Sequence, residues 1–264
     1  MSQVTIGDVA ACLEVWAPPQ LQESYDNAGL ITGDPAGEVT GVMVSLDCTE
    51  EVVMDAVSRN CNMVVSHHPI VFQGLKKFSG GSYVERALIA AIRNGVALYA
   101  IHTNLDAVPD GVNAMICRKL DLEPEGVLRP RQAGQPEGSG MVARLSKPME
   151  EKAFLKQVKE RMGVSCLRHT RLLARPVQRV ALCGGSGSFL IPDALRAGVD
   201  VFITSDIRYH TFFDADGRIL LVDIGHYEAE QFTQELIVAY VKEKFPNFAV
   251  LLTEIITNPI KYLV

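Results

Sequence analysis

The sequence predicts an α/β protein. Short apolar runs recur along the chain, with stretches of helical periodicity between them. The runs are nearly continuous rather than alternating, the signature of strands buried on both faces of a mostly parallel sheet. Polar segments that follow these runs carry five of the six histidines, where α/β proteins place their chemistry. The competing arrangement is a mixed sheet, which the same pattern allows.

The elements follow in order. Thr5 to Trp16 reads as a helix, with Ile6, Val9, Leu13 and Trp16 on one face, stopped by Pro18 and Pro19. Asp26-Asn27-Ala28-Gly29 is a turn signature. Gly41 to Leu46 is a strand, and Thr49 caps a helix that runs to Arg59. Met63 to Ser66 and Val96 to Ile101 are strands, with a helix from Val84 to Asn94 between them and another from Gly111 to Leu120 after them. Residues 129–140 lack apolar content and are expected to form a loop or linker.

A second α/β stretch follows. Met141 to Leu145 is a strand and Met149 to Met162 a helix. Val177 to Cys183 is a strand, then a glycine-rich turn and a helix through Arg196. Val201 to Thr204 and Ile219 to Ile224 are strands, and a long helix is expected from His226 to Lys244. Phe248 to Thr253 is the last strand.

Composition excludes several function classes. A charged fraction of 21% beside 48% hydrophobic residues gives an ordinary packed core, not disorder. The net charge of −6 with no basic run argues against a nucleic-acid partner. The six cysteines form no CxxC pair, so a thiolate zinc site is not expected. No membrane span and no signal peptide are read, so a cytoplasmic protein is expected.

The chemistry lies with histidines and carboxylates. His67-His68 ends an apolar run, and Pro69 holds His68 in extended geometry. Two ring nitrogens there can serve two neighbouring metals. The alternative is one core and one surface histidine. His102 and Asp106 repeat the theme after the next apolar run. Asp106 offers a hard oxygen ligand, and His102 is a ligand, a proton shuttle or a partner that orients a ligand. His226 and Glu230, four apart at a helix start, share a face. The alternative is an exposed first turn with Glu230 favoured by the helix dipole.

Together His67, His68, Asp106, His226 and Glu230 give three imidazoles and two carboxylates. That set exceeds one tetrahedral zinc and suits two divalent ions, Zn, Mn, Fe or Ni, with a bridging carboxylate. Two such ions leave a positive balance that favours a bridging hydroxide and an anionic substrate group. Asp206 and His210, four apart, form a candidate general acid/base pair, or a helix cap and a surface histidine. Gly184, Gly185 and Gly187 lie between strand and helix, where backbone amides can cradle a phosphate or simply make a tight turn.

Six segments in this order resemble one family. They are Tyr25-Asp26-Asn27-Ala28-Gly29-Leu30, Ser66-His67-His68-Pro69, His102-Thr103-Asn104-Leu105-Asp106, Cys183-Gly184-Gly185-Ser186-Gly187, Thr204-Ser205-Asp206 with His210, and Gly225-His226-Tyr227-x-x-Glu230. The chain is similar to the NIF-three-like family, whose members carry the name GTP cyclohydrolase 1 type 2 homolog. The resemblance implies an α/β fold of two interlinked units with a dinuclear metal site in the cleft between them. It implies the same five ligands and a homo-oligomer, a toroidal hexamer. On this basis the first unit is expected to span 1–128 together with 221–264 and to carry the ligands, and the second to span 129–220. The expected function is a metal-dependent hydrolase acting on a nucleotide or other small anionic, phosphate-bearing substrate. The alternative is a non-catalytic metal-binding regulatory or scaffold protein.

Overall fold

The computed structural model describes residues 3–263. Helix α1 (Ile6–Trp16) is capped by Thr5, whose hydroxyl accepts from Asp8 N–H while the Asp8 carboxylate accepts from Thr5 N–H, a reciprocal capping box. Strand β1 (Gly29–Thr32) and strand β2 (Gly41–Ser45) precede α2 (Glu50–Ser58), capped by Thr49 as expected. Strand β3 (Met63–Ser66), α3 (Tyr83–Arg93), β4 (Ala97–Ala100), the short α4 (Thr103–Ala107) and α5 (Val112–Leu120) follow. Next come β5 (Glu123–Pro130), β6 (Gly138–Met149), α6 (Glu151–Arg161), β7 (Arg168–His169), β8 (Val177–Leu182), α7 (Ile191–Ala197), β9 (Val201–Thr204) and β10 (Leu220–Asp223). The chain closes with α8 (His226–Glu230), α9 (Thr233–Lys244) and β11 (Ala249–Leu252).

The fold is α/β with two sheets and two compact units. The first unit runs to Leu105 and resumes over Thr233–Pro259; the second takes Asp106–Phe232 and the residues from Ile260. The expected limits at 128 and 220 differ from these. The pairing of β5 with β6 puts the chain from Glu123 in the second sheet, and that of β10 with β9 keeps Leu220–Asp223 there. The outer limits of the expected first unit, residues 1 and 264, lie outside the described residues.

In the first unit the sheet order is β1-β4-β3-β2-β11. All neighbours are parallel except β1, which runs antiparallel to β4. Strands β2, β3 and β4 are buried at every position, which is why they read as unbroken apolar runs. Val52, Val53, Ala56, Ala87, Leu88 and Ala91 of α2 and α3 pack over one face of the sheet.

In the second unit the order is β5-β6-β8-β9-β10-β7. Its centre, β8-β9-β10, is parallel, while β5, β6 and β7 pair antiparallel. Residues 129–140, expected as a loop or linker, instead hold the end of β5, the hairpin turn and the start of β6. The long helix expected from His226 is divided: α8 ends at Glu230, and a turn at residues 231–232 separates it from α9. Among the described residues no helix is long and apolar enough to cross a membrane.

Candidate metal-binding residues

Three histidines gather at the C-terminal edge of the first sheet. The strand ladder continues one step past β3, with His67 N–H on Ser45 O at 3.2 Å and His68 N–H on Leu46 O at 2.9 Å. Past β4 the ladder continues through Ile101 N–H on Ser66 O at 2.9 Å, and the next residue, His102, turns its N–H to Asn104 Oδ1 at 2.9 Å. The rings of His67 and His68 lie 5.0 Å apart, and each is 5.3 Å from His102. One nitrogen from each of the three lies within 4.8 Å of the others.

Each ring is oriented by an oxygen at Nδ1. His67 donates from Nδ1 to the Ile101 carbonyl at 2.8 Å, His68 to Asp47 Oδ1 at 2.8 Å, and His102 to Asp26 Oδ1 at 2.8 Å. An acceptor at Nδ1 fixes the proton there and leaves Nε2 with its lone pair. Metal-ligating histidines are held in this way. His67 is fully buried, and the side chains of His68 and His102 are only 16% and 12% exposed. Burial pushes the Asp26 carboxyl up, but hydrogen bonds from His102 and Thr103 and the nearby imidazole outweigh it and hold the pKa at about 2. Asp26 is therefore an anion that fixes His102.

The second unit carries its own set. His226 opens α8, and its Nε2 lies 3.1 Å from Glu230 Oε2, one helical turn on. Its Nδ1 donates to Asp206 Oδ2 at 2.7 Å. Glu230 is buried, and a carboxylate oxygen of Asp106 lies within 4.8 Å of one of Glu230. Two carboxylates this close repel unless a proton or a cation lies with them. Asn113 ties the segment together: its amide donates to Asp106 O at 3.1 Å, and its Oδ1 accepts from Gly184 N–H at 3.0 Å.

The glycine-rich turn packs against Glu230. A Cβ on Gly185, which sits at φ +62°, would meet Glu230 Oε1 at 2.3 Å. The Gly184 and Gly187 amides are engaged within the protein, on Asn113 and on Thr204 Oγ1 at 2.8 Å. Close approach to Glu230 is thus one physical reason for glycine here. Cys183, just before the turn, is buried, which pushes its thiol up, and Asp106 and Glu230 push it further.

Asp206 and His210 do not share a helical turn. Asp206 takes a left-handed backbone, φ +56°, past the end of β9, and a 3₁₀ segment begins only at Tyr209. The Asp206 carboxylate is directed to His226, and the exposed His210 ring lies 5.1 Å from that of Tyr209. Sequence reasoning took Asp26 as a turn residue and passed over Asp47. Yet Asp47 meets the criterion that singled out Asp106, a carboxylate just past an apolar strand.

The donor types fit a divalent metal. Imidazole Nε2 atoms with fixed tautomers and clustered carboxylates are ligands for borderline and hard ions. Fold and donors together define a mixed α/β protein whose histidine and carboxylate groups can hold a metal ion.

The chain belongs to the Duf34/NIF3 (NGG1p interacting factor 3) family, whose model matches residues 4–259. It is 34% identical to the "GTP cyclohydrolase 1 type 2 homolog" of Clostridium acetobutylicum, over 85% of each chain. Its identity to the protein of the same name from Streptococcus pneumoniae is 31%, over 97% of this chain and 98% of that one. Among solved structures, a hypothetical protein of Staphylococcus aureus superposes with a TM-score of 0.90 at 28% identity, covering 99% of this chain and 100% of that one. A Bacillus cereus protein related to NIF3 shares the fold at a TM-score of 0.91 and 23% identity, with 100% of both chains covered.

Proposed function

We propose that this protein is a metal-dependent hydrolase in which His67, His68, Asp106, His226 and Glu230 hold two divalent ions. The observation that carries the reading is the common posture of the histidines. His67, His68, His102 and His226 all spend Nδ1 on an oxygen acceptor, the arrangement that orients a histidine to ligate through Nε2. Divalent ions in such a site polarise a carbonyl or phosphoryl oxygen and draw the pKa of a water toward about 7.

The chain's own groups do the rest. Asp47 and Asp206 accept from Nδ1 of His68 and His226 and so hold each ring in one orientation. Glu230 and Asp106 supply the negative charge that retains cations, and the positive balance that two divalent ions would leave favours an anionic substrate. His102, beside His67 and His68 with its Nδ1 proton fixed on Asp26, is the group we assign to accept a proton from water. A general base of this kind contributes roughly 10²–10⁴-fold.

The name carried by the relatives makes a guanine nucleotide the first substrate to test. The experiment is a screen of nucleotides, phosphoesters and cyclic amides against protein reconstituted with Zn, Mn or Fe. The reading expects turnover that chelation abolishes and that His67→Ala and His102→Ala each lower by at least 100-fold. Metal binding without turnover on any class would contradict it and leave a non-catalytic metal-binding protein.

A further inference from the structure

The second unit has a cavity that the metal reading does not use. It holds about 650 Å³ and is walled by the segment after β7 and by the 3₁₀ segment Tyr209–Ala215. Its lining combines Arg168, Arg171 and His169 with the rings of Tyr209, Phe212 and Phe213. Both walls are fixed from behind. The buried Glu151 carboxylate accepts from Leu173 N–H at 2.8 Å and Ala174 N–H at 2.9 Å, which pins the loop that carries Arg171. Arg168 spans the walls, paired with the buried Asp223, donating to Ile207 O at 3.1 Å and stacked 5.5 Å from the Phe212 ring.

The two arginines differ. Arg168 is neutralised by Asp223. Arg171 has neither ion pair nor hydrogen bond among the described residues and lies against Gly217, where a Cβ would meet its Nη2 at 2.9 Å. Tyr209 and Phe213 stand 73% and 68% exposed, with ring centroids 5.7 Å apart. Asp216 is the lone acid in the lining, against two guanidinium groups. An unmatched guanidinium forks onto phosphate, and exposed aromatic rings offer a face to a planar base. The volume suits one small ligand.

We infer that this cavity binds a mononucleotide, its phosphate on Arg171 and its base against Tyr209 and Phe213. The inference stands apart from the metal reading, because none of its residues is a proposed ligand.

The test is equilibrium binding of a purine nucleoside monophosphate, the matching nucleoside and inorganic phosphate to the whole protein in the presence of EDTA, which removes metal-dependent binding. The monophosphate is expected to bind at least tenfold more tightly than the nucleoside or phosphate alone. Arg171→Ala and Phe213→Ala, both at exposed positions, are each expected to weaken it about tenfold without lowering the melting temperature. Absence of saturable binding, or equal affinity in wild type and both variants, would overturn the site. So would loss of self-association in Phe213→Ala without any nucleotide binding, which would make this face an interface between copies of the chain.

Discussion

Asp206 Oδ2 accepts a hydrogen bond from His226 Nδ1 at 2.7 Å, and Asp206 does so from a left-handed backbone at φ +56°. Asp and Asn tolerate that conformation better than other non-glycine residues. Asp206→Asn therefore keeps the backbone and an acceptor but loses the charge, whereas Asp206→Ala loses the acceptor and strains the turn. Metal affinity, read by competition with a chromophoric chelator, is expected to fall about 10–100-fold in Asp206→Ala and less in Asp206→Asn. Equal affinity in wild type and Asp206→Ala would remove Asp206 from the site.

Gly185 tests the packing against Glu230. Alanine there pays about 1 kcal/mol for its backbone conformation. Its methyl would also displace the end of Glu230. Gly185→Ala is expected to lose metal affinity out of proportion to its loss of stability, whereas Gly198→Ala, also at positive φ but with open space around it, is expected to lose stability alone. Similar metal affinity in the two variants would contradict a role for close approach.

Asp26 gives a pH dependence. Its folded pKa of about 2 lies below the ordinary carboxylate value. A depressed carboxyl contributes stability that is full above its unfolded pKa, near 4, and is lost as pH falls toward 2. The contribution is on the order of 1–2 kcal/mol after allowing for partial solvent screening. Urea unfolding of wild type between pH 5 and pH 2 is expected to show this loss, and Asp26→Asn, already less stable at pH 5, to show less of it. Parallel curves for the two proteins would show that Asp26 does not gain from the folded state.

The central strands were legible because burial on both faces leaves only apolar residues, as in Val42-Met43-Val44 and Val201-Phe202-Ile203. Strand β5 was not, because it is an edge strand whose first four residues, Glu123-Pro124-Glu125-Gly126, are all exposed. Strand β7 is two residues long and defined by its pairing with β10 alone. For the site, a histidine doublet past an apolar run announces itself. The carboxylates that orient the rings do not, since Asp26 lies 76 residues from His102 and Asp47 lies 21 from His68. Such pairs exist only after the sheet has formed.

The thiols should divide sharply. Burial raises Cys48 and Cys117 to about 12, the first aided by the neighbouring Asp47, and holds Cys183 well above the usual thiol range. Thiolate is the reactive form. In the native protein at pH 8 a chromogenic disulfide is expected to label the exposed Cys166 within minutes and to leave those three unmodified. Rapid labelling of Cys183 would mean that the glycine-rich turn opens readily.

The central claim is tested most directly by metal content per chain, measured by elemental mass spectrometry after reconstitution and desalting. Wild type and a His67→Ala, His226→Ala double variant would be compared, with circular dichroism as the check on folding. The account predicts about two ions per chain in the wild type and a large loss in a folded double variant. No retained metal in the wild type, or equal content in both proteins, would contradict it.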